Sequence, residues 1–132
     1  MTPGPEGRRS VPAGTVWGPH VGMSRAVRSG PWIAVSGTTA ATPDGHVVGG
    51  TDPGAQAREV LRRIAAALEQ LGAGLADVVR TRIYVTDIAR WEEVAAHAEV
   101  FGDLRPACTM VEVSALIDPA LLVEIEADAV VG

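Results

Sequence analysis

The chain has 132 residues, 47% of them hydrophobic, which suits a single domain with its own core. Eleven basic and 16 acidic residues give a net charge of −5 without any run of lysine or arginine, which argues against a nucleic-acid-binding surface. The single cysteine cannot form an intramolecular disulfide. No apolar stretch is close to the length of about 20 residues that a membrane-spanning helix needs. Because Met1 to Ser10 also lack the apolar core of a secretory signal, we expect a cytoplasmic protein.

The N-terminal part divides into an arm and a hairpin. Residues 1–14 are rich in proline, glycine and arginine, and we expect a flexible arm there, followed by one domain over residues 15–132. Two β-like runs, 24–29 and 32–37, flank the turn dipeptide Gly30-Pro31 and predict a β-hairpin.

A first amphipathic helix is predicted after Asp52, which can cap the first turn while Pro53 fills the first helical position. One apolar face follows at helical spacing, formed by Ala57, Val60, Leu61, Ile64, Leu68 and Leu71. Gly72 and Gly74 end the helix.

A strand over 78–86 and a second helix capped by Asp87 come next. Alternation predicts that one face of the strand is apolar, with Val79, Thr81, Ile83 and Val85. The other face presents Arg80, Arg82 and Tyr84. The buried stripe of the second helix is predicted to consist of Trp91, Val94, Ala95, Ala98 and Phe101.

Two closing strands, 106–113 and 122–127, also alternate between two kinds of side chain. We expect Cys108, Glu112, Glu124 and Glu126 to share the polar sheet face with the two arginines of the preceding strand. The aliphatic side chains then face the core.

These elements predict an α+β sandwich in the order β-β-α-β-α-β-β, with both helices packed on one face of a mostly antiparallel sheet. The opposite face mixes charges with Tyr84, Met110 and Leu122. Such a mixture suits burial between like subunits of a closed ring.

Several segments, in order along the chain, resemble the Rid family, the reactive intermediate deaminases also called YjgF-like proteins. The segments include Ser24-Arg25-Ala26, Val35-Ser36-Gly37 and Tyr84-Val85-Thr86-Asp87. The closing Pro106-Ala107-Cys108-Thr109 and Val123-Glu124-Ile125-Glu126-Ala127 are the most specific of them. The resemblance covers roughly residues 22–131.

The resemblance implies a chorismate-mutase-like fold, a homotrimer and ligand clefts between subunits. It also implies hydrolysis of reactive imines and enamines to a keto acid and ammonia. The arginine with which such members bind the substrate carboxylate is matched by Cys108, and a tyrosine and an asparagine of their sites are matched by Met23 and Ala95. Ser36, which lines the cleft, and Glu124, which handles the attacking water, are retained. This pattern indicates a divergent subgroup. Arg105 lies three residues before Cys108, ahead of the proline.

Each candidate site residue also has a structural interpretation. Cys108 can line a cleft or be an inert small hydrophobe. Glu124 can be a general base or a partner of Arg80 and Arg82, and Ser36 can bind ligand or satisfy backbone. Glu112 and Glu126 are taken as structural.

No metal ion and no cofactor are expected. The three histidines, His20, His46 and His97, lack the short spacing of metal ligands, and no phosphate-binding glycine motif is present.

Three functions are compatible with these observations. The first is a hydrolase acting on C=N bonds of small metabolites, in which Glu124 is catalytic and Ser36, Cys108 and Met23 line the cleft. The second is a trimeric small-molecule-binding or sensing protein without catalysis. The third, a ribonuclease, conflicts with the charge of −5 and the lack of a basic or stacking surface.

Overall fold

A computed structural model describes residues 2–3 and 7–132 of the chain. The strands are β1 Thr2–Pro3, β2 Arg8–Pro12, β3 Ser24–Ser29, β4 Trp32–Thr38, β5 Val78–Val85, β6 Ala107–Glu112 and β7 Val123–Val130. The α-helices are α1 Gly18–Val21, α2 Pro53–Gln70 and α3 Ala96–Phe101. Short 3-10 helices span Leu75–Asp77, Ile88–Val94 and Gly102–Leu104.

The seven strands found in the described residues form one sheet in the order β1-β2-β3-β4-β7-β5-β6. Every neighbouring pair is antiparallel except β5 and β6, which are parallel. Helix α2 packs on one face of the sheet and contacts α3, so the α+β architecture follows the prediction.

The expected N-terminal arm is in part a strand. Residues 8–12 form β2, which pairs with β3 and places Val11 in the core with 5% of its surface exposed. Backbone hydrogen bonds to β3 explain why a segment with few apolar residues is held in the sheet. Of the remaining arm residues, 1 and 4–6 lie outside the described part of the chain.

Helix α2 begins as predicted. The Asp52 carboxylate accepts a hydrogen bond from the Gly54 backbone N–H at 2.9 Å, and Pro53 occupies the first turn. Its predicted apolar face is fully buried.

The start of α2 is also tied to the start of β7 by the fully buried Gln56. Its side-chain amide donates to the carbonyls of Gly50, at 2.7 Å, and Ala120, at 3.0 Å, and its carbonyl accepts from the Leu122 N–H at 2.9 Å. These three bonds satisfy a polar side chain inside the core.

The segment predicted as the second helix does not form one continuous α-helix. It divides into a 3-10 helix and the six-residue α3, with non-helical backbone at Arg90. Only Val94 and Phe101 of the predicted stripe are buried; Trp91, which is 56% exposed, Ala95 and Ala98 face outward. The change of helix type alters the angle between successive side chains, so a stripe drawn with 3.6 residues per turn fails.

One residue of β5 is also assigned to the wrong face. Thr81, Ile83 and Val85 are buried as predicted, whereas Val79 is 46% exposed and Val78 is buried instead. The pairing of β5 with β7 shifts between Val78 and Arg80, and such a bulge inverts the alternation on its N-terminal side.

Candidate functional site

The candidate site is built around Glu124, which lies in β7 opposite Tyr84 of β5. Its neighbours in sequence, Val123 and Ile125, are fully buried on the helix-covered face. Glu124 therefore points to the open face, where it is half-buried.

The Glu124 carboxyl packs directly on Gly37 of β4. A Cβ atom added to Gly37 would lie 2.8 Å from the Glu124 Oε1 atom and 2.9 Å from its Cδ atom. The absence of a side chain at Gly37 thus creates the space that the carboxyl occupies.

Burial and two neighbouring charges influence the protonation of this carboxyl. Burial raises the pKa of Glu124 above its ordinary value of 4.5, the positive charge of Arg25 lowers it, and the negative charge of Glu126 raises it. Since burial is the strongest of these influences, the protonated form is favoured relative to a free glutamate.

Arg25, in β3, is the cation whose charge lowers the pKa of Glu124. Its Nη1 atom donates to the Gly37 carbonyl at 2.6 Å and to Thr38 Oγ1 at 3.1 Å, and its Nε and Nη2 atoms both donate to the Ala13 carbonyl at 3.4 Å. Arg25 therefore holds the N-terminal segment against the end of β4. The sequence interpretation missed this arginine; only its place in the Ser24-Arg25-Ala26 segment pointed to it.

The carboxyl of Glu124 separates two depressions in the protein surface. On one side is a cavity of about 340 Å³ between the 11–17 segment and helix α2, and its wall includes Arg25, Arg62, Arg63 and Glu124. On the other side is a shallow groove on the open sheet face. The groove is lined by Met23, Ser36, Gly37, Tyr84, Val113, Ala115, Leu116, Glu124 and Glu126.

Met23, Ser36 and Glu124 are thus brought together as the sequence indicated. Met23 and Glu124 line both depressions, and Ser36 lines the groove. The Ser36 hydroxyl donates to the Ser24 carbonyl at 2.7 Å, the backbone-satisfying bond of its structural interpretation.

Cys108 is not part of this group, and its predicted placement on the polar face is wrong. In the parallel pairing of β5 and β6, Cys108 lies beside Thr81 and Met110 beside Ile83. Thr81 and Ile83 are buried on the helix-covered face, so Cys108 lies on that face too, exposed at the sheet edge. Within one chain, Cys108 and Glu124 are on opposite faces of the sheet.

The surroundings of Cys108 differ from those of Glu124. The hydroxyl of its neighbour Thr81 lies 2.8 Å from His97 Nε2, and the His97 ring contacts Phe101 with centroids 4.6 Å apart. Burial lowers the pKa of His97, so the neutral ring is favoured. This contact attaches α3 to the sheet.

The arginines and acids predicted on the polar face are paired in part as expected. Arg82 Nη1 contacts Glu126 at 3.1 Å and Asp128 at 3.3 Å, and the Tyr84 hydroxyl donates to Glu126 at 3.1 Å. These bonds orient Glu126, and the cation that acts on the pKa of Glu124 is Arg25 rather than Arg80 or Arg82.

Two further positions compared with the resembling family, Arg105 and Ala95, lie outside both depressions. Arg105 is exposed and adopts a left-handed backbone with φ of 42° in the turn before Pro106. Ala95, which matches the asparagine of the resembling family, is exposed between the 3-10 helix and α3.

Two further tests of the structure concern metals and membranes. Within residues 2–3 and 7–132, no group of three or more His, Cys, Asp or Glu side chains is arranged to hold a metal ion. None of the helices in this part of the chain has the length and apolar character needed to span a bilayer.

Comparison with known proteins extends over nearly the whole chain. The family model described as Endoribonuclease L-PSP matches residues 17–131. A crystal structure of a YjgF-family member from Mycobacterium tuberculosis is 58% identical and superposes with a TM-score of 0.85, covering 94% of this chain and 99% of that one. A Rid-family protein of unknown function from Yersinia pestis is 37% identical with a TM-score of 0.74, covering 83% and 87% of the two chains.

Sequence comparison gives the same result with a protein whose function is not characterised. A Streptomyces coelicolor protein is 34% identical over 128 residues, which are 96% of this chain and 95% of its own length. The α+β fold, with its sheet backed by helices, is the chorismate-mutase-like fold of these structural neighbours.

Proposed function

Because the chain belongs to the YjgF/Rid family, whose L-PSP model spans residues 17–131, we propose that it hydrolyses the C=N bond of small imine or enamine metabolites. The observation that supports this proposal best is the half-buried Glu124 carboxyl, which lies between a cavity and a groove. Burial raises the pKa of Glu124, and a base whose pKa is nearer to neutrality transfers protons more effectively.

The chemistry needs one water and one carboxyl. The Glu124 carboxylate accepts a proton from water as the water oxygen bonds to the imine carbon, and the imine nitrogen takes up a proton from solvent, giving a carbinolamine; the hydroxyl proton lost in the last step returns to solvent and balances this uptake. The protonated carboxyl then gives its proton to the amino nitrogen as the C–N bond breaks. The hydroxyl proton is released as the carbonyl forms, so the products are a keto acid and ammonia.

We further propose that the active unit is a cytoplasmic homotrimer with clefts between subunits. In one chain Cys108 and Glu124 occupy opposite sheet faces, so a shared site requires Cys108 from a neighbouring copy. Exposed apolar side chains on the open face, Val79 at 46% and Val111 at 43%, favour contact with another subunit. Sedimentation equilibrium tests this arrangement, and a monomer at working concentrations would contradict it.

The hydrolase proposal is tested with imines made in situ by an amino-acid oxidase. We expect the protein to accelerate the release of ammonia above the spontaneous rate, and Glu124→Gln to lose about 100-fold or more of that acceleration. The matched control is Asp128→Asn, on the same strand and face but outside both depressions. Equal acceleration by wild type and Glu124→Gln would reject the proposal.

A non-catalytic binding protein is the second candidate. It is favoured by the Ser36 hydroxyl, which is engaged with the Ser24 carbonyl, and by Cys108 at the position of the family arginine. A small acid that binds without any turnover would distinguish it from a hydrolase. The L-PSP family description also names an endoribonuclease, but the net charge of −5 favours a small metabolite over RNA.

A further inference from the structure

Glu124 has a second carboxyl beside it on the open face of the sheet. Glu126 lies two residues further along β7, and side chains two residues apart point to the same face of a strand. Both carboxyls line the shallow groove, together with Tyr84 of β5. An extended backbone places the two glutamates about 7 Å apart, so the charge of one acts on the other.

Two donors from the neighbouring strand β5 hold Glu126 in place. In the register of β5 with β7, Arg82 lies opposite Glu126 and Tyr84 lies opposite Glu124. Arg82 donates to the Glu126 Oε1 atom at 3.1 Å, and the Tyr84 hydroxyl reaches diagonally to the same atom at 3.1 Å. Burial is the main cause that raises the pKa of Tyr84, so the phenol keeps its proton and stays a donor at neutral pH. The Glu126 carboxyl is therefore fixed in the groove.

The ion pair with Arg82 leaves negative charge on this part of the sheet. The Nη1 atom that contacts Glu126 also contacts Asp128 at 3.3 Å, so one cation serves two carboxylates. Arg80, which lies opposite Asp128, is exposed and outside the groove. Because its cation is shared, Glu126 keeps part of its charge in the direction of Glu124.

Arg25 and Glu126 act on Glu124 with opposite signs. After burial, which is the strongest influence, the positive charge of Arg25 lowers the pKa of Glu124 and the negative charge of Glu126 raises it. The other titratable groups that line the two depressions are Tyr84, Arg62 and Arg63. The phenol is uncharged, and the two helix arginines share the carboxylate of Glu59 at 2.6 and 2.7 Å. Glu126 is thus the anion that offsets Arg25.

We propose that Glu126 is a positioning residue for the proposed hydrolysis, because its fixed charge offsets that of Arg25 and leaves Glu124 basic enough to take a proton from water. Glu126 acts through Glu124 and does not contact the imine. Its structural role, pairing with an arginine, is what holds this charge in place. The inference depends on the proposed hydrolase only for its effect on turnover, since the effect on the titration of Glu124 requires no substrate.

Carbon-13 NMR of protein labelled at the side-chain carboxyls of glutamate measures the titration of Glu124, whose signal is identified by its loss in Glu124→Gln. The test variant is Glu126→Gln, which removes the charge but keeps an oxygen that accepts from Arg82 and Tyr84. We expect the titration midpoint of Glu124 to fall by about 0.5 pH unit, the effect of one charge about 7 Å away in a mostly aqueous setting.

Two further variants separate the position of the charge from its presence. Asp128→Asn removes an equal charge on the same strand and face, four residues from Glu124, and we expect it to move the midpoint by less than about 0.2 pH unit. Glu126→Asp keeps the charge but shortens the side chain, and we expect a midpoint between those of Glu126→Gln and wild type. Thermal melts show whether each variant is folded.

Turnover of imines made in situ by an amino-acid oxidase connects this charge to catalysis. The acid limb of the pH profile of kcat/KM reports the ionisation of the base in the free enzyme. In Glu126→Gln we expect this limb to move to lower pH by about 0.5 unit as well, and the plateau rate to fall about twofold because the base is weaker. The ratio of variant to wild-type rate at each pH cancels the ionisation of the imine itself.

The outcomes for this inference differ from those for the hydrolase. A Glu124 midpoint that is unchanged in Glu126→Gln, or that Asp128→Asn lowers equally, overturns the inference and leaves any Glu124-dependent turnover intact. A lowered midpoint with an acid limb that does not move overturns the role of Glu126 in catalysis. A lowered midpoint in a protein without imine turnover supports the electrostatic effect and rejects the hydrolase proposal.

Discussion

Glu124 and Cys108 lie on opposite faces of the same sheet, and their surroundings differ accordingly. Glu124 is in the central strand β7, half-buried, packed on Gly37 and influenced by Arg25. Cys108 is in the edge strand β6, exposed, beside a threonine that binds a histidine. A central strand can surround a side chain with groups from its own chain, whereas an edge position has neighbours on one side only and depends on another molecule to complete a site.

The largest expected effect concerns the close contact at Gly37. In Gly37→Ala the new Cβ atom displaces the end of the flexible Glu124 side chain, so the fold survives while the carboxyl moves. We expect imine turnover to fall about 100-fold with little change in the thermal melt. Gly74→Ala is the control, since a Cβ atom there meets nothing within 4 Å. Full activity of Gly37→Ala would show that the carboxyl position is unimportant.

The next effect concerns the ion-pair cluster that Glu59 forms with Arg62 and Arg63 on helix α2. Hydrogen bonds from Arg62 and Arg63 lower the pKa of Glu59 to about 2 from an ordinary 4.5. The stabilisation by Glu59 is therefore present above about pH 4.5 and is lost as the pH falls toward about 2.

Urea unfolding measures this contribution. We expect Glu59→Gln to reduce the free energy of unfolding by about 2 kcal/mol at neutral pH, with a smaller loss as the solution is acidified. Glu69→Gln, at an exposed position of the same helix, is the control. A loss for Glu59→Gln that does not change with pH would contradict the ion-pair origin.

A third experiment tests whether Cys108, in the edge strand β6, belongs to a site that is shared with another copy of the chain. Modification of the exposed Cys108 thiol with N-ethylmaleimide adds bulk where a shared cleft would lie. We expect turnover to fall about tenfold, and the Cys108→Ser variant to be unaffected by the reagent. Complete labelling by mass spectrometry with unchanged turnover would place Cys108 outside the active site.

The smallest effect concerns the protonation of Glu124 itself. Because its pKa in the folded protein is raised above 4.5, ionisation opposes folding, and stability falls as the pH rises through the folded value. Glu124→Gln removes this penalty. We expect the variant to match wild type near about pH 4 and to be more stable by at most about 1 kcal/mol at about pH 8, since solvent screens a half-exposed carboxyl. A variant less stable than wild type at about pH 8 would reverse the assigned sign.

The sequence predicted much of this fold because the central elements follow simple periodicities. Helix α2 and strand β7 each bury the face that their spacing indicated. For strand β6 the periodicity alone does not predict which face meets the helices. Its alternation separates Cys108 from Thr109, but both kinds of side chain are exposed on an edge strand, so only the register with β5 decides which faces the helices.

The candidate site likewise divides into residues that the sequence could identify and residues that only the tertiary structure brings together. Glu124 and Ser36 could be found because they match family positions, whereas Arg25 becomes visible only when β3 and β4 pair and place it under Gly37. Arg62 and Arg63 lie outside the apolar face that was predicted for α2. They share a cavity wall with the segment that precedes β3 because of tertiary packing, which no local pattern encodes.

The amide of Gln56 has a mechanical consequence for this arrangement. It joins the first turn of α2 to the backbone at Leu122, two residues before Glu124, so the helix that carries Arg62 and the strand that carries the carboxyl are coupled as one rigid unit. The spacing between the first turn of α2 and the start of β7 is therefore set by bonds inside the core and not by anything that occupies the surface beside Glu124.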